Sequence, residues 1–301
     1  MSSGGSVPID PPAPELTTEA ADSSRWRALA TMTGGRRGLS AGGAIIAAWV
    51  VIALAAPLIA TYNPRLPAGP PLEGPGSRFA FGTDTLGFDV FARVVYAPRV
   101  DLLLAAGGMV VALVIGTALG AAIGMAGGIW ADAPMRVFDA LQAFPVLVLA
   151  LALVAAVGQN NGAIIAAIAL INVPLFLRVV RSQVVSLRER RFIEAARADG
   201  NPEWRILVRH IMPHTITSVV AQATNSIAFA VIVIASLSFL SVGLKPPTPE
   251  WGQMIQAGAQ GIQSGQWWMS VFPGAALAAL VLGFVLLGEG LQDVLRVERP
   301  T

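Results

Sequence analysis

The chain has 301 residues, of which 54% are hydrophobic and 13% charged, and its mean hydropathy is +0.66. Soluble globular chains carry about 25% charged residues, so this composition argues against a soluble domain. A net charge of +2 is too small to indicate nucleic-acid binding, and the absence of cysteine excludes disulfides and thiolate metal sites. Long runs without Asp, Glu, Lys or Arg instead predict an all-α integral membrane protein in the lipid bilayer, because each span needs about 20 apolar residues.

The apolar runs divide the chain into a tail, a first span and a core of five helices. Residues 1–38 are rich in Pro, Ser and charged residues, which predicts a disordered tail. The segments expected after it are a first span at 39–60, an extracytoplasmic segment at 61–101, a core at 102–294 and a short tail at 295–301. The extracytoplasmic segment has apolar residues at helical spacing from 83 to 99, which predicts an interfacial amphipathic helix. The core spans are expected near residues 102–130, 137–157, 163–177, 216–244 and 271–287.

The distribution of basic residues predicts the orientation of these six spans. With the amino terminus inside, 15 of the 20 Lys and Arg residues lie in segments on the cytoplasmic side, and five lie outside. Cytoplasmic loops of membrane proteins carry this excess of positive charge. We therefore expect a multi-pass protein of the plasma membrane with both termini in the cytoplasm.

The second span carries a row of glycines at every fourth position. The row consists of Gly116, Gly120, Gly124 and Gly128. Small residues at this interval let helix backbones approach closely in lipid. The row therefore predicts a helix-packing face, although a background rich in Gly and Ala is the alternative explanation.

The segment 178–213 is the longest predicted cytoplasmic connection, and it holds eight of the Lys and Arg residues. Ala195 and Ala196 favour a helix, and Gly200 suits the left-handed position after a helix end. Asn201 is expected to cap a second helix, with Pro202 at its first position. The pattern predicts two short helices at about 190–210 with a tight turn between them.

This predicted elbow has a slim face, formed by Ala195, Ala196 and Gly200, that a partner groove could approach closely. Glu194 is expected either to accept hydrogen bonds from a partner or to pair with Arg190 or Arg197. A solvated basic loop that only satisfies the positive-inside rule remains the alternative.

The elbow resembles a known motif. The motif is made of Glu194-Ala195-Ala196, Gly200 and, after nine intervening residues, His210-Ile211-Met212-Pro213. It resembles the EAA motif of ABC importer membrane subunits, with departures at His210 and Met212. Other segments resemble the dipeptide/oligopeptide branch of that family: Phe81–Asp89, Gln142–Pro145, Ser238–Leu240, Pro246–Gly252 and Leu287–Asp293. Phe88 stands where that branch usually has Arg. The resemblance extends in order from about residue 39 to residue 294.

The resemblance implies the transmembrane domain of a type I ABC importer, acting as the permease subunit for di- or oligopeptides delivered by an extracytoplasmic substrate-binding protein. It also implies a second, homologous permease subunit and cytoplasmic ATPase subunits that bind ATP and Mg. By resemblance, the residues that contact the ATPase are Glu194, Ala195, Ala196, Arg197, Asp199, Gly200 and Pro213. The chain itself is expected to be non-catalytic and free of cofactors, because its single Lys, Lys245, follows Leu244 and belongs to no P-loop.

The fifth span supplies a candidate translocation pathway. Seven residues of this span fall on one face of a helix. The six assigned to the pathway are Gln222, Asn225, Ser226, Phe229, Val233 and Ser236. Polar residues within a span usually face the bundle interior or a water-filled cavity. Hydrogen bonding between helices is the alternative. On the outer side, residues 83–99 and 246–268 are expected to meet the binding protein, while Trp251, Trp267 and Trp268 could instead anchor the chain at the interface.

Three other functions remain open from the sequence. The same architecture could import nickel, glutathione, haem or another small solute. An ion-coupled secondary transporter would need ionisable residues near the middle of the membrane, and a membrane scaffold would leave the elbow without a role.

Overall fold

A computed structural model describes the backbone of residues 17–297 and the side chains of residues 36–129 and 131–294. The helices of this part of the chain are α1 (Thr17–Ile59), α2 (Val90–Ala126), α3 (Ile129–Gln142), α4 (Val146–Val157), α5 (Asn161–Arg188), α6 (Arg191–Ala198), α7 (Glu203–Ile206), α8 (Met212–Phe239), α9 (Trp251–Ala259) and α10 (Trp268–Val297). A π-helical turn at Leu207–Ile211 joins α7 to α8.

Five helical segments are long and apolar enough to cross a membrane: Arg36–Ile59, Val90–Ala126, Asn161–Arg188, Glu203–Phe239 and Trp268–Val294. They confirm five of the six predicted spans. The sixth, expected as one helix at 137–157, is instead the pair α3 and α4, which are bent by 91°. The cause lies at Pro145, which has no N–H to continue the helix and disfavours helical geometry at Phe144.

Two predicted boundaries are corrected at the amino-terminal side. Helix α1 begins at Thr17, so residues 17–38 are helical where a disordered tail was expected; residues 1–16 lie outside the described part. Helix α2 begins at Val90 because the Asp89 side chain accepts a hydrogen bond of 2.9 Å from the Ala92 N–H. The predicted interfacial helix and the second span are therefore one continuous helix.

The described helices contain five interior prolines: Pro57, Pro98, Pro134, Pro174 and Pro273. At two of them, a side chain from elsewhere in the chain bonds the carbonyl that the proline leaves free. Pro98 in α2 cannot donate to the Val94 carbonyl, which accepts instead from Trp251 Nε1 at 3.1 Å. Pro57 in α1 likewise cannot donate to the Ala53 carbonyl, which accepts a hydrogen bond from the Arg99 guanidinium instead.

The contact between α2 and α5 depends on small residues. A Cβ at Gly120 would lie 2.6 Å from the Leu177 carbonyl oxygen, and one at Gly116 or Gly124 would lie 2.7 or 2.8 Å from α5 side chains. Gly108, which the predicted row did not include, lies equally close to Ile168. Gly128 was predicted to belong to the packing row, but it does not. It lies beyond the end of α2, precedes α3 and has open space around it.

The remaining helices surround this pair. Helix α8 packs on α2, α5 and α10, while α1 packs along α10 and α9 covers the ends of α8 and α10. The buried core that results is aliphatic and Ala-rich, with Phe176, Trp251 and Leu280 among its largest members.

We predict that Gly120→Ala lowers the stability of the folded protein by about 1–3 kcal/mol, because the new methyl group meets backbone of α5 that cannot move independently. The measurement is the thermal unfolding midpoint of the purified protein in detergent. Gly274→Ala in α10 is the matched control, since nothing lies within 4 Å of its Cβ position. Equal midpoints for the two variants would contradict the packing role of Gly120.

Candidate functional site

The tip of the elbow is the turn between α6 and α7. Gly200 has φ of +80°, the left-handed conformation predicted for it, and its surroundings are open. The Asn201 side chain donates to the Ala196 carbonyl at 3.0 Å, so it closes the end of α6. It does not cap α7 as predicted, because Pro202 occupies the capping position and Glu203 begins the helix.

Arg197 joins the two arms of the elbow, which are helix α6 and helix α7. Its Nε and Nη2 donate to the two carboxylate oxygens of Glu203 at 2.7 and 3.2 Å, and Nη1 donates to the Arg188 carbonyl at 3.3 Å. The hydrogen-bonded Glu203 carboxylate raises the pKa of the Arg197 guanidinium. The fork geometry suits Arg and fixes α6 against both α7 and the end of α5.

The base of the elbow is apolar and buried. Ile193, Ile206 and Ile211 are fully buried, and Ala196 is 7% exposed. Ala196 therefore faces the chain's own core, which corrects its predicted place on the slim outer face. The open surface is formed by Glu194, Ala195, Asp199, Gly200 and Trp204.

Glu194 pairs with neither Arg190 nor Arg197, and Arg197 bonds Glu203 instead. In the described part of the chain, the Glu194 carboxylate makes no ion pair and is exposed. A side chain of this kind is available to a partner.

The second arm of the elbow continues into the membrane. Helix α7, the π-helical turn and α8 form one unbroken helical path from Glu203 to Phe239, although the sequence predicted a span that begins at residue 216. Pro213 lies in the first turn of α8, directly after the π-helical turn. The first arm is joined to α5 by two residues only, Glu189 and Arg190.

Two groups of contacts near the elbow were not found from the sequence. Arg188 donates to the Gly124 carbonyl at the end of α2 at 2.9 Å. Arg178 and Arg181 on α5 pair with Asp139 and Asp132 on α3 at 2.5 and 3.2 Å. Opposite charges on both helices were the available signal, but the bend at Pro145 that brings α3 to α5 was not expected.

The predicted pathway residues on α8 do not form one accessible face within this chain. Ser226 and Val233 are buried, which corrects their assignment to an open lining, and Asn225 packs against Gly288 of α10. Gln222 donates to Ser226 at 3.3 Å, and Ser236 donates to the Ile232 carbonyl. Phe229 is 43% exposed. The accessible candidates are Gln222, Phe229 and Ser236.

The tryptophans at the other end of the protein differ from one another. Trp251 is fully buried, lies edge-on to Trp49 at 5.1 Å and bonds the Val94 carbonyl, so it is no interfacial anchor. Trp268 donates to the Thr83 carbonyl at 3.1 Å, whereas Trp267 is half-exposed. This end also buries Arg93, which the sequence analysis passed over; an Arg within an apolar helical segment was the signal.

Comparison with known proteins assigns the chain to a family. The family model described as binding-protein-dependent transport system inner membrane component matches residues 112–296. The chain belongs to this family. It is 41% identical over 254 residues to the dipeptide transport system permease protein DppC of Alkalihalophilus pseudofirmus, which is 83% of each chain. It is 39% identical over 224 residues to the glutathione transport system permease proteins GsiD of Pectobacterium atrosepticum and Escherichia coli O1:K1, which is 74% of this chain and 74% and 73% of theirs.

The chain is therefore a multi-pass permease subunit of an ABC importer of the dipeptide/oligopeptide type, and it works in a complex with other subunits. The ion-coupled transporter and the scaffold are wrong as alternatives. The relatives are permease subunits of transporters, which are non-catalytic.

We predict that Arg197→Glu loosens the elbow of the permease, because it sets two carboxylates against each other where an ion pair stood. An exposed pair contributes up to about 1 kcal/mol, so amide hydrogen exchange in residues 199–206 should rise by up to about fivefold. The reversed pair, Arg197→Glu with Glu203→Arg, should restore most of the protection. Unchanged exchange in the single variant would show that the pair does not hold the elbow.

Proposed function

We propose that the permease translocates di- and oligopeptides, which an extracytoplasmic binding protein delivers and which partner ATPase subunits drive through the elbow. The observation that carries the proposal is the unbroken helical path from Glu203 at the elbow into α8. The names of the relatives support the class of cargo, since they are dipeptide and glutathione permeases. Glutathione, itself a small peptide, is the second candidate cargo.

The elbow has the mechanical properties that this role requires. Its tip is exposed and presents Glu194, Ala195 and Gly200, while its base is locked by buried aliphatic residues. A force applied at the tip reaches α5 through the two-residue link and reaches α8 through the π-helical turn. Closure of the ATPase would thus shift both helices together, as in a rigid-body switch between two packed states.

The proposal includes the surrounding subunits. The ATPase subunits bind ATP and Mg and dock at the elbow with contacts to Glu194, Ala195, Arg197, Asp199, Gly200 and Pro213; Ala196 supports this surface from below. A second, homologous permease completes the translocation pathway. The elbow and both termini lie in the cytoplasm, in agreement with the excess of basic residues on that side.

We predict that Gly200→Trp and Glu194→Arg reduce uptake of a labelled dipeptide at least tenfold while membrane insertion stays normal. The Trp side chain fills open space above the turn and blocks a partner groove, and the new Arg reverses an unpaired charge. Uptake is measured in cells, and ATP hydrolysis in the purified complex. Labelled glutathione is assayed in parallel, and the better substrate decides between the two candidate cargoes.

Thermal unfolding of the purified variants separates docking from folding, because Trp at the positive φ of Gly200 strains the turn. Two further variants serve as controls. Gly200→Asn keeps a small residue that tolerates positive φ, and Glu289→Arg reverses an exposed charge at the end of α10. Both controls should transport normally. Normal uptake with normal ATP hydrolysis in Gly200→Trp and Glu194→Arg would refute docking at the elbow.

We also predict that the elbow and the loop before α2 lie on opposite sides of the membrane. The chain has no cysteine, so single cysteines can be introduced without background. Asp199→Cys should react with an impermeant maleimide only after the membrane is opened, whereas Ser77→Cys, exposed in the loop, should react in intact cells. The reverse pattern would place the elbow outside and overturn the proposed function.

A further inference from the structure

A cavity of about 230 Å³ lies at the end of α8 remote from the elbow. The 28 residues of α8 separate the two ends by about 42 Å of helix. The walls come from the loop before α2, the start of α2, the end of α8 and helix α9. In the proposed orientation, the cavity opens on the side from which cargo arrives.

Arg93 is the buried charge in the wall of this cavity. The side chain belongs to the first turn of α2, is 4% exposed and lies over the Phe88 ring at 4.9 Å. Its hydrogen bonds to described residues are two long ones, 3.4 Å from Nη1 to the carbonyls of Pro64 and Pro247. Nε is buried and has no partner among the described residues. A buried guanidinium in this state is costly unless an anion pairs with it.

The nearby carboxyl groups leave this charge only partly compensated. The Asp84 carboxylate accepts from the N–H groups of Leu86 and Phe88 at 2.9 and 3.0 Å, and no ion pair joins it to Arg93 within 4 Å. Glu250 caps α9 by accepting from Gly252 and Gln253. Burial raises the pKa of the Glu250 carboxyl to about 7, so near neutral pH it carries only a fraction of a negative charge.

The rim and floor of the cavity add further polar groups. Lys245, the single Lys of the chain, lies exposed at the rim. Gln253 donates to the Leu244 carbonyl at 2.8 Å, while its Oε1 is buried without a partner. The space is smaller than the 300–1,000 Å³ typical of drug-sized ligands, so it suits a single functional group with its immediate neighbours.

We propose that this cavity binds one carboxylate group through the guanidinium of Arg93, with Lys245 at the entrance. Arg presents two parallel N–H donors that match a carboxylate, and a bound carboxylate would supply the charge and the acceptor that Arg93 lacks. The choice of a carboxylate over other anions rests on the proposed function, since peptides end in this group. The same group could belong to an acidic side chain of the binding protein.

The test uses the complex of the permease with its partner subunits in nanodiscs, without the binding protein. Calorimetric titration with dialanine and with dialanine amide compares a free carboxylate with a neutral end. Dialanine should bind at least tenfold more tightly than the amide. Arg93→Lys keeps the charge but loses the two parallel N–H donors, so it should weaken dialanine binding at least tenfold. Lys245→Gln should weaken dialanine binding about threefold.

Arg78→Gln is the matched control. Arg78 lies in the loop before α2 and over the Phe79 ring at 5.0 Å, as Arg93 lies over Phe88, but it is exposed and outside the cavity. It should bind dialanine like the unmodified permease. Lys245→Gln alters an exposed residue, so it keeps the test valid if Arg93→Lys fails to fold, which thermal unfolding would reveal.

A second arm measures capture of the labelled binding protein by the same variants. Loss of dialanine binding in Arg93→Lys and Lys245→Gln assigns the carboxylate to the cargo. Normal cargo binding with weakened capture assigns it to the binding protein. Equal binding of dialanine and its amide, together with unchanged capture in both variants, overturns the proposal. Because binding is measured without transport, a failure to import dipeptides would bear on the proposed function and not on this site.

Discussion

The close approach of α2 to α5 is the contact on which the rest of the permease depends. Helices in lipid gain little from hydrophobic association, so their packing relies on small residues and polar groups. The row from Gly108 to Gly124 lets α5 lie directly against the α2 backbone. Helix α5 then leads into the elbow, and Arg188 bonds the Gly124 carbonyl at the end of the row. The elbow is therefore positioned by the same contact that builds the core.

The elbow combines a rigid base with an adjustable tip. Its base is made of fully buried Ile side chains, whose packing tolerates little displacement. Its tip is held by an exposed ion pair and by hydrogen bonds to two carbonyls, each of which is individually weak. A partner can thus reshape the tip at small cost, whereas any larger force must move α5 and α8 as whole helices.

The sequence located the spans because lipid demands long apolar runs, and it located the turn at Gly200 because few residues accept positive φ. It did not distinguish the proline that bends a helix from those that do not. At Pro98 and Pro57, the side chains of Trp251 and Arg99, distant in the chain, bond the free carbonyls. Pro145 stands between α3 and α4, and two ion pairs join α3 to α5. Such tertiary donors cannot be read from local pattern, whereas Arg93 did leave a local signal, an Arg within an apolar helical segment.

Arginines serve different purposes at the two ends of the permease. Near the elbow, Arg178, Arg181 and Arg197 pair with carboxylates at partly exposed positions. At the other end, Arg93 and Arg99 are directed to backbone carbonyls, and Arg93 alone also lines the cavity. The count of basic residues that predicts the orientation treats all these arginines as equal, although their different environments decide what each of them does. Helix α8 connects the two environments, since it begins at the elbow and its far end forms a wall of the cavity opposite α2. In the mechanism proposed above, a movement of α8 driven from the elbow would change the position of that wall relative to Arg93 and so link the elbow to the cavity.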